Sequence, residues 1–153
     1  MRKAVICAAL ILLSASGAFA ATGWAIGGEG GFYIAGAGGL PASGMLVFRL
    51  PQVPLMFGVG VSGSALAVGF TADYWALRGS FAKFLSGYGG FGGYAIFGAP
   101  FTAGVRFPFG LQIWPIPQSL EVFIEVAPAV GLSLVPTGFD WHVQAALGLR
   151  IWI

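Results

Sequence analysis

From Thr102 to Val130 apolar and polar residues alternate along two arms separated by a Pro-rich turn, the period-2 signature of a β-hairpin with two unlike faces. On the first arm Ala103, Val105, Phe107, Phe109 and Leu111 share one face, and Thr102, Gly104, Arg106, Gly110 and Gln112 share the other. On the second arm Leu120, Val122, Ile124 and Val126 oppose Glu121, Phe123 and Glu125. Folding about Pro115 and Ile116 predicts Arg106 opposite Glu125, a cross-strand pair with both side chains on one face. That face is expected to line the lumen of a small β-barrel.

The same alternation predicts further strands. Thr22–Ala35 turns Trp24, Ile26, Phe32 and Ile34 outward and Ala25, Gly27, Glu29 and Tyr33 inward. In Gly44–Leu50, Leu46, Phe48 and Leu50 point outward and Arg49 inward, because an arginine at the lipid midplane costs roughly 2–4 kcal/mol. Leu55–Val61 places Leu55, Phe57, Val59 and Val61 outward, and Ala65–Trp75 places Leu66, Val68, Phe70 and Tyr74 outward with Thr71 and Asp73 inward. Phe84–Phe97 is Gly-rich: Tyr88 and Tyr94 share one face, Phe91, Ala95 and Phe97 the other, and the pattern does not say which is inward. Phe139–Ile153 turns Trp141, Val143, Ala145, Leu147, Leu149 and Ile151 outward, with Arg150 inward.

With the hairpin these segments amount to an all-β fold, an antiparallel eight-stranded up-and-down transmembrane β-barrel. Gly36–Ser43, Pro51–Pro54, Ser62–Ser64, Ala76–Lys83 and Gly131–Gly138 are the expected connections. Starting in the periplasm, the topology puts Trp24, Trp75, Trp114 and Trp152 at one boundary and Trp141 near the other, as in an aromatic girdle, although Trp152 falls on the inward parity. Ala76–Lys83 is long for a periplasmic turn. Pro108 and Pro128 are expected at bulges or strand ends.

Composition sharpens the membrane reading. Only 8% of residues are charged and 58% are hydrophobic, against roughly 25% charged in soluble domains. Leu50–Ala72 and Phe84–Val105 are charge-free and long enough for a membrane helix. Pro51 and Pro54 in the first, and Pro100 with seven glycines in the second, favour strands. Arg2 and Lys3, the apolar run Ala4–Leu13 and the small-x-small site Ala18-Phe19-Ala20 predict a cleavable signal peptide over residues 1–20, leaving 21–153 as the barrel. Cys7 leaves with the leader, so no disulfide framework is expected. Without Arg2 and Lys3 the formal charge falls from +2 to zero, which implies no nucleic-acid partner. The glycines of Gly27–Gly31 and Gly87–Gly93 lack the following helix of a dinucleotide loop and are expected to make room for larger inward neighbours.

Asp73-Tyr74-Trp75, Tyr88 with its glycines, Arg106-Phe107-Pro108-Phe109-Gly110, Leu120-Glu121-Val122-Phe123 with Glu125–Pro128, and Ala145–Ile153 together resemble small outer-membrane barrels. The likeness is to the OmpA/OmpX/OmpW-like type and, more closely, to a group of uncharacterised spirochaete-type outer-membrane proteins. It implies a location in the bacterial outer membrane, contact with its lipids, and recognition of the last strand, Ala145–Ile153, by the assembly machinery. Where such strands commonly end in an aromatic residue, this one ends Ile151-Trp152-Ile153. The resemblance carries no catalytic residues and says nothing of the oligomeric state.

Candidate chemistry is sparse. Asp140 and His142, the only histidine, share the inward face two residues apart and form a lumenal polar pair, but position 144 is Gln and no serine nucleophile is placed beside them. One histidine and scattered carboxylates fall short of a metal site, and no cofactor is expected. Arg106, Glu125, Glu121, Arg49, Glu29 and Arg150 are expected to form a structural ionic network that plugs the lumen. The leading expectation is therefore a non-enzymatic barrel with a structural or surface-interaction role. A narrow channel or transporter for small or hydrophobic molecules is the alternative, and a lipid A-modifying enzyme built on Asp140 and His142 a third.

Overall fold

The structure is a computed structural model that describes residues 23–37, 43–62, 67–134 and 136–153. The expected signal peptide lies outside the described residues, as do Leu66 and most of the connections expected at Gly36–Ser43 and Ser62–Ser64. Nine strands follow in order: β1 Ala25–Ala37, β2 Ser43–Arg49, β3 Leu55–Ser62, β4 Ala67–Ala82, β5 Leu85–Phe97, β6 Thr102–Arg106, β7 Phe109–Ile116, β8 Leu120–Leu134 and β9 Thr137–Trp152. The stretches Leu50–Ala72 and Phe84–Val105 thus supply strands, and among the described residues no helix is long and apolar enough to cross a membrane.

Every pairing is antiparallel, and β9 returns to β1, so the sheet closes into a ring. Nine strands stand where eight were expected because the first arm of the hairpin is broken in two. Both β6 and β7 pair with β5 on one side and β8 on the other, and so occupy one position in the ring. The break is at Phe107-Pro108. Pro108 has no N–H to give β5, and its carbonyl accepts from Gly90 N at 2.9 Å. Pro128 sits in the unbroken β8 ladder, with its carbonyl accepting from Phe107 N at 2.9 Å. Since the N–H and C=O of one residue in an antiparallel strand face the same neighbour, the donor missing at Pro128 also faces this break.

Following the register once around, Ala25 leads to Arg49, Met56, Asp73, Gly92, Arg106, Ala129, His142 and back to β1 at Gly36. The return is eleven residues further along, one of them at the bulge between Tyr33 and Ala35. For eight strand positions that stagger corresponds to a strand tilt of about 40°, inside the range of closed sheets. Ala25, Arg49, Asp73, Arg106 and His142 on this circuit all have the parity read as inward.

Burial follows the same alternation. Outward Phe32, Leu46, Phe70, Phe109, Leu111, Ile124 and Leu147 are exposed, whereas Arg49, Asp73, Arg106, Gln112, Glu121, Phe123 and Glu125 are buried. The closed sheet is therefore apolar outside and charged inside. Tyr88 and Tyr94 are buried and Phe91 and Phe97 exposed, which fixes the parity of β5. Ala145 has the outward parity but is covered, lying between Phe32 and Val126 across the ladders.

Several expected boundaries shift. Ala76–Lys83 is not a long connection: β4 continues through a bulge after Tyr74 to Ala82 and pairs with β5 up to Leu85, so Lys83 and Phe84 make a tight turn. The inserted bulge residues break the period-2 pattern that marks a strand in sequence. Gly131–Gly138 is likewise mostly strand, with Leu134 paired to Thr137. The hairpin turns at residues 117–119 rather than at Pro115 and Ile116, with Gln118 at φ 64° and Ser119 N donating to Ile116 O at 3.1 Å. The tryptophan girdle does not form as expected. Trp24 and Trp141 are exposed, but Trp75 and Trp152 are buried inside the ring, with Trp114 packed against the same cluster.

Candidate functional site: the ionic interior

The inward side chains gather into three groups. In the first, Arg106 of β6 donates through Nη2 to Glu125 Oε1 on β8, and its Nε lies 3.5 Å from Asp73 Oδ1 on β4. The Tyr88 hydroxyl donates to the other oxygen of Glu125, Oε2, at 2.5 Å. The expected Arg106–Glu125 pair is thus present but not opposite in register. Arg106 faces Ala129 and Glu125 faces Gly110, so the pair closes diagonally. Gly110 leaves the space that allows this, because a Cβ there would stand 2.2 Å from Tyr88 Cζ. Gly110→Val is accordingly expected to displace the Tyr88 ring and cost about 1–3 kcal/mol in chemical unfolding in detergent. Gly44→Ala, where a Cβ meets nothing within 4 Å, is expected to change little.

The second group is built on Arg150 of β9. Its Nη1 donates to Glu121 Oε1 at 2.7 Å across a directly paired position, and Trp152 Nε1 donates to Glu121 Oε2 at 2.7 Å. Glu29 Oε2 lies 4.0 Å from Arg150 Nη2. The guanidinium carbon sits 3.4 Å from the Phe123 ring centroid and 5.1 Å from that of Trp75. Trp75 stacks on Tyr88 with centroids 4.0 Å apart, joining this group to the first. Arg49 lies 5.7 Å over Trp152, and Arg78 lies 5.1 Å over Trp75. The six residues read as one network therefore divide into two linked groups. Arg106 and Glu125 belong to one; Arg150, Glu121 and Glu29 belong to the other; and Arg49 joins through an aromatic face.

The third group lies on the circuit beyond Arg106. Tyr94 donates its hydroxyl to Asp140 Oδ2 at 3.4 Å, and His142 Nδ1 stands 3.7 Å from the same oxygen. Tyr94 and His142 meet edge to face with centroids 5.1 Å apart. The pair read from sequence is therefore in contact, with Tyr94 as an added partner. Gln144 Nε2 is 3.4 Å from Ser43 Oγ. A cleft of about 20 Å³, lined in part by Tyr94, His142, Gln144, Thr71 and Arg106, adjoins this group.

Sequence reading left Asp73, Tyr88, Trp75 and Trp152 out of the network. The inward parity of Asp73 and Trp152 was the available signal for those two. Tyr88 gave none, because glycines on both sides hide which face of β5 is inward.

Among the described residues no group of three or more His, Cys, Asp or Glu side chains is placed to hold a metal ion. The chain matches no known protein family, no curated protein and no solved structure at a significant level.

Proposed function

We propose that the chain is an integral β-barrel protein of the bacterial outer membrane with a structural or surface-interaction role and no catalytic activity. The observation that carries this reading is the closed ring itself, apolar on its outer surface and ionic within. Such a surface suits lipid, and a ring has no open edge whose backbone groups hydrocarbon would leave unsatisfied. The interior groups hold one another, which suits a plug that keeps the sheet closed. Export would use the leader over residues 1–20, and the assembly machinery would read β9 near Ile151-Trp152-Ile153.

The test is fractionation with migration on SDS gels before and after boiling. The expected outcome is recovery in the outer-membrane fraction and a band whose mobility changes on heating. Recovery with the inner membrane alone, or a heat-insensitive band, would count against the proposal.

The cleft beside Tyr94, His142 and Gln144 favours a second reading, a narrow channel or transporter for small molecules. Single-channel recording separates the two: the structural role predicts no conductance, and steady conductance that Arg106→Ala alters would favour the channel.

A further inference from the structure

The Asp140, His142 and Tyr94 group is neither a satisfied hydrogen-bond cluster nor part of the ionic plug. Asp140 and His142 are 5% and 4% exposed, yet Asp140 Oδ1 and His142 Nδ1 have no hydrogen-bond partner. Their separation of 3.7 Å is too long for a direct hydrogen bond. Buried polar atoms left unpaired point to a water or an ion between them. Elsewhere in the ring Glu121 and Glu125 each accept a hydrogen bond from an arginine and Asp73 has the Arg106 guanidinium 3.5 Å away, itself without a hydrogen bond at Oδ1, whereas the neighbours of Asp140 are His142 and Tyr94, neither a permanent cation.

We infer that Asp140, His142 and Tyr94 form a binding site for a divalent first-row transition ion of the Cu²⁺ or Zn²⁺ kind. Alternation on β9 puts Asp140 and His142 on one face, and Tyr94 reaches Asp140 from β5. A tetrahedral Zn²⁺ centre with metal–ligand distances of about 2.0–2.2 Å sets neighbouring donors roughly 3.3–3.6 Å apart, and a tetragonal Cu²⁺ centre needs them a few tenths of an ångström closer. The 3.4 Å from Tyr94 to Asp140 and the 3.7 Å from His142 to Asp140 are close to the tetrahedral spacing. Imidazole nitrogen with two oxygens is a donor set suited to copper and zinc. The adjoining cleft of about 20 Å³ has room for one water, which would complete the coordination. The third donor, from Tyr94, is a phenol oxygen. The inference rests on the closed ring and not on the membrane location, so it can fail while the proposed function stands.

The experiment is titration of the untagged full chain carrying Cys7→Ser, refolded in detergent, with Cu²⁺ followed by electron paramagnetic resonance. His142 is the only histidine, so one bound equivalent should show coupling to an imidazole nitrogen, and Zn²⁺ should displace it. Asp140→Asn should weaken binding at least tenfold, Tyr94→Phe severalfold, and His142→Ala should remove the imidazole signal. Heat-modifiable migration confirms that each variant has folded. If His142→Ala does not fold, the spectrum of the Cys7→Ser parent still decides. No stoichiometric binding, which leaves a water as the bridge, overturns the site. So does binding without imidazole coupling, or an affinity unchanged in Asp140→Asn.

Discussion

Arg150→Met is expected to destabilise the fold by about 3–5 kcal/mol, the larger part of the stability of a marginal domain. Arg150 is 1% exposed, and Glu121 beside it is 0% exposed. Methionine fills most of the volume but leaves Glu121 with only the indole N–H of Trp152 and leaves Glu29 without its nearest cation. Stranding a buried carboxylate is what makes removal of one partner so costly, whereas replacing a whole buried pair by apolar groups is often neutral. Arg150→Met combined with Glu121→Leu is therefore expected to recover a substantial part of the loss. Arg150→Lys should not recover it, because an ammonium has no flat face to lie on Phe123 at 3.4 Å. Guanidinium unfolding in detergent, followed by tryptophan fluorescence, measures each change. Lys83→Met, on the exposed β4–β5 turn, is the control and should stay within about 0.5 kcal/mol of the parent.

The second large effect is at Arg106 and Glu125. Each alanine variant is expected to cost about 3–5 kcal/mol, for the same reason. Their double variant should cost less than the sum by 1 kcal/mol or more, within the range of about 0.5–3 kcal/mol seen for residues in contact. Full additivity would mean that the two side chains do not interact. Arg106 also neighbours Asp73 at 3.5 Å, and Tyr88 also donates to Glu125. Each single loss therefore disturbs a third group. Tyr88→Phe removes one hydrogen bond to a charged oxygen and should cost less, about 1.5–3 kcal/mol.

The alternation of residue types made the two faces of most strands legible. Arg49, Asp73, Arg106, Glu121 and Glu125 needed only their parity to be placed inside, and all are buried. What was hidden was where the pattern is interrupted. The bulge in β4 after Tyr74 shifts the parity within one strand and made Leu77–Ala82 look like a loop. Pro108 splits one arm in two without changing the parity of Phe107 and Phe109, so the arm read as continuous. Register was less legible than parity. The Arg106–Glu125 contact followed from two charges on one face, but its diagonal geometry depends on a turn at Gln118 that a Pro-rich segment does not locate. Trp152 has the inward parity at the end of its strand, whereas Trp75, expected to end a strand at the membrane boundary, lies in the middle of β4, because that strand runs on through its bulge to Ala82. In the fold they serve the charges instead: Trp152 donates to Glu121, and Trp75 lies under Arg78 and Arg150.

The central claim is that an apolar outer surface meets lipid while the alternate residues point into an ionic interior. The most direct test is a nitroxide scan along β8 in a Cys7→Ser background, with single cysteines from Val122 to Val126 in reconstituted vesicles. Oxygen, which partitions into lipid, should relax the probes at Val122, Ile124 and Val126 strongly and those at Phe123 and Glu125 weakly, a profile with period 2. A profile with a helical period, or one equally accessible to a water-soluble relaxant at every position, would contradict the account.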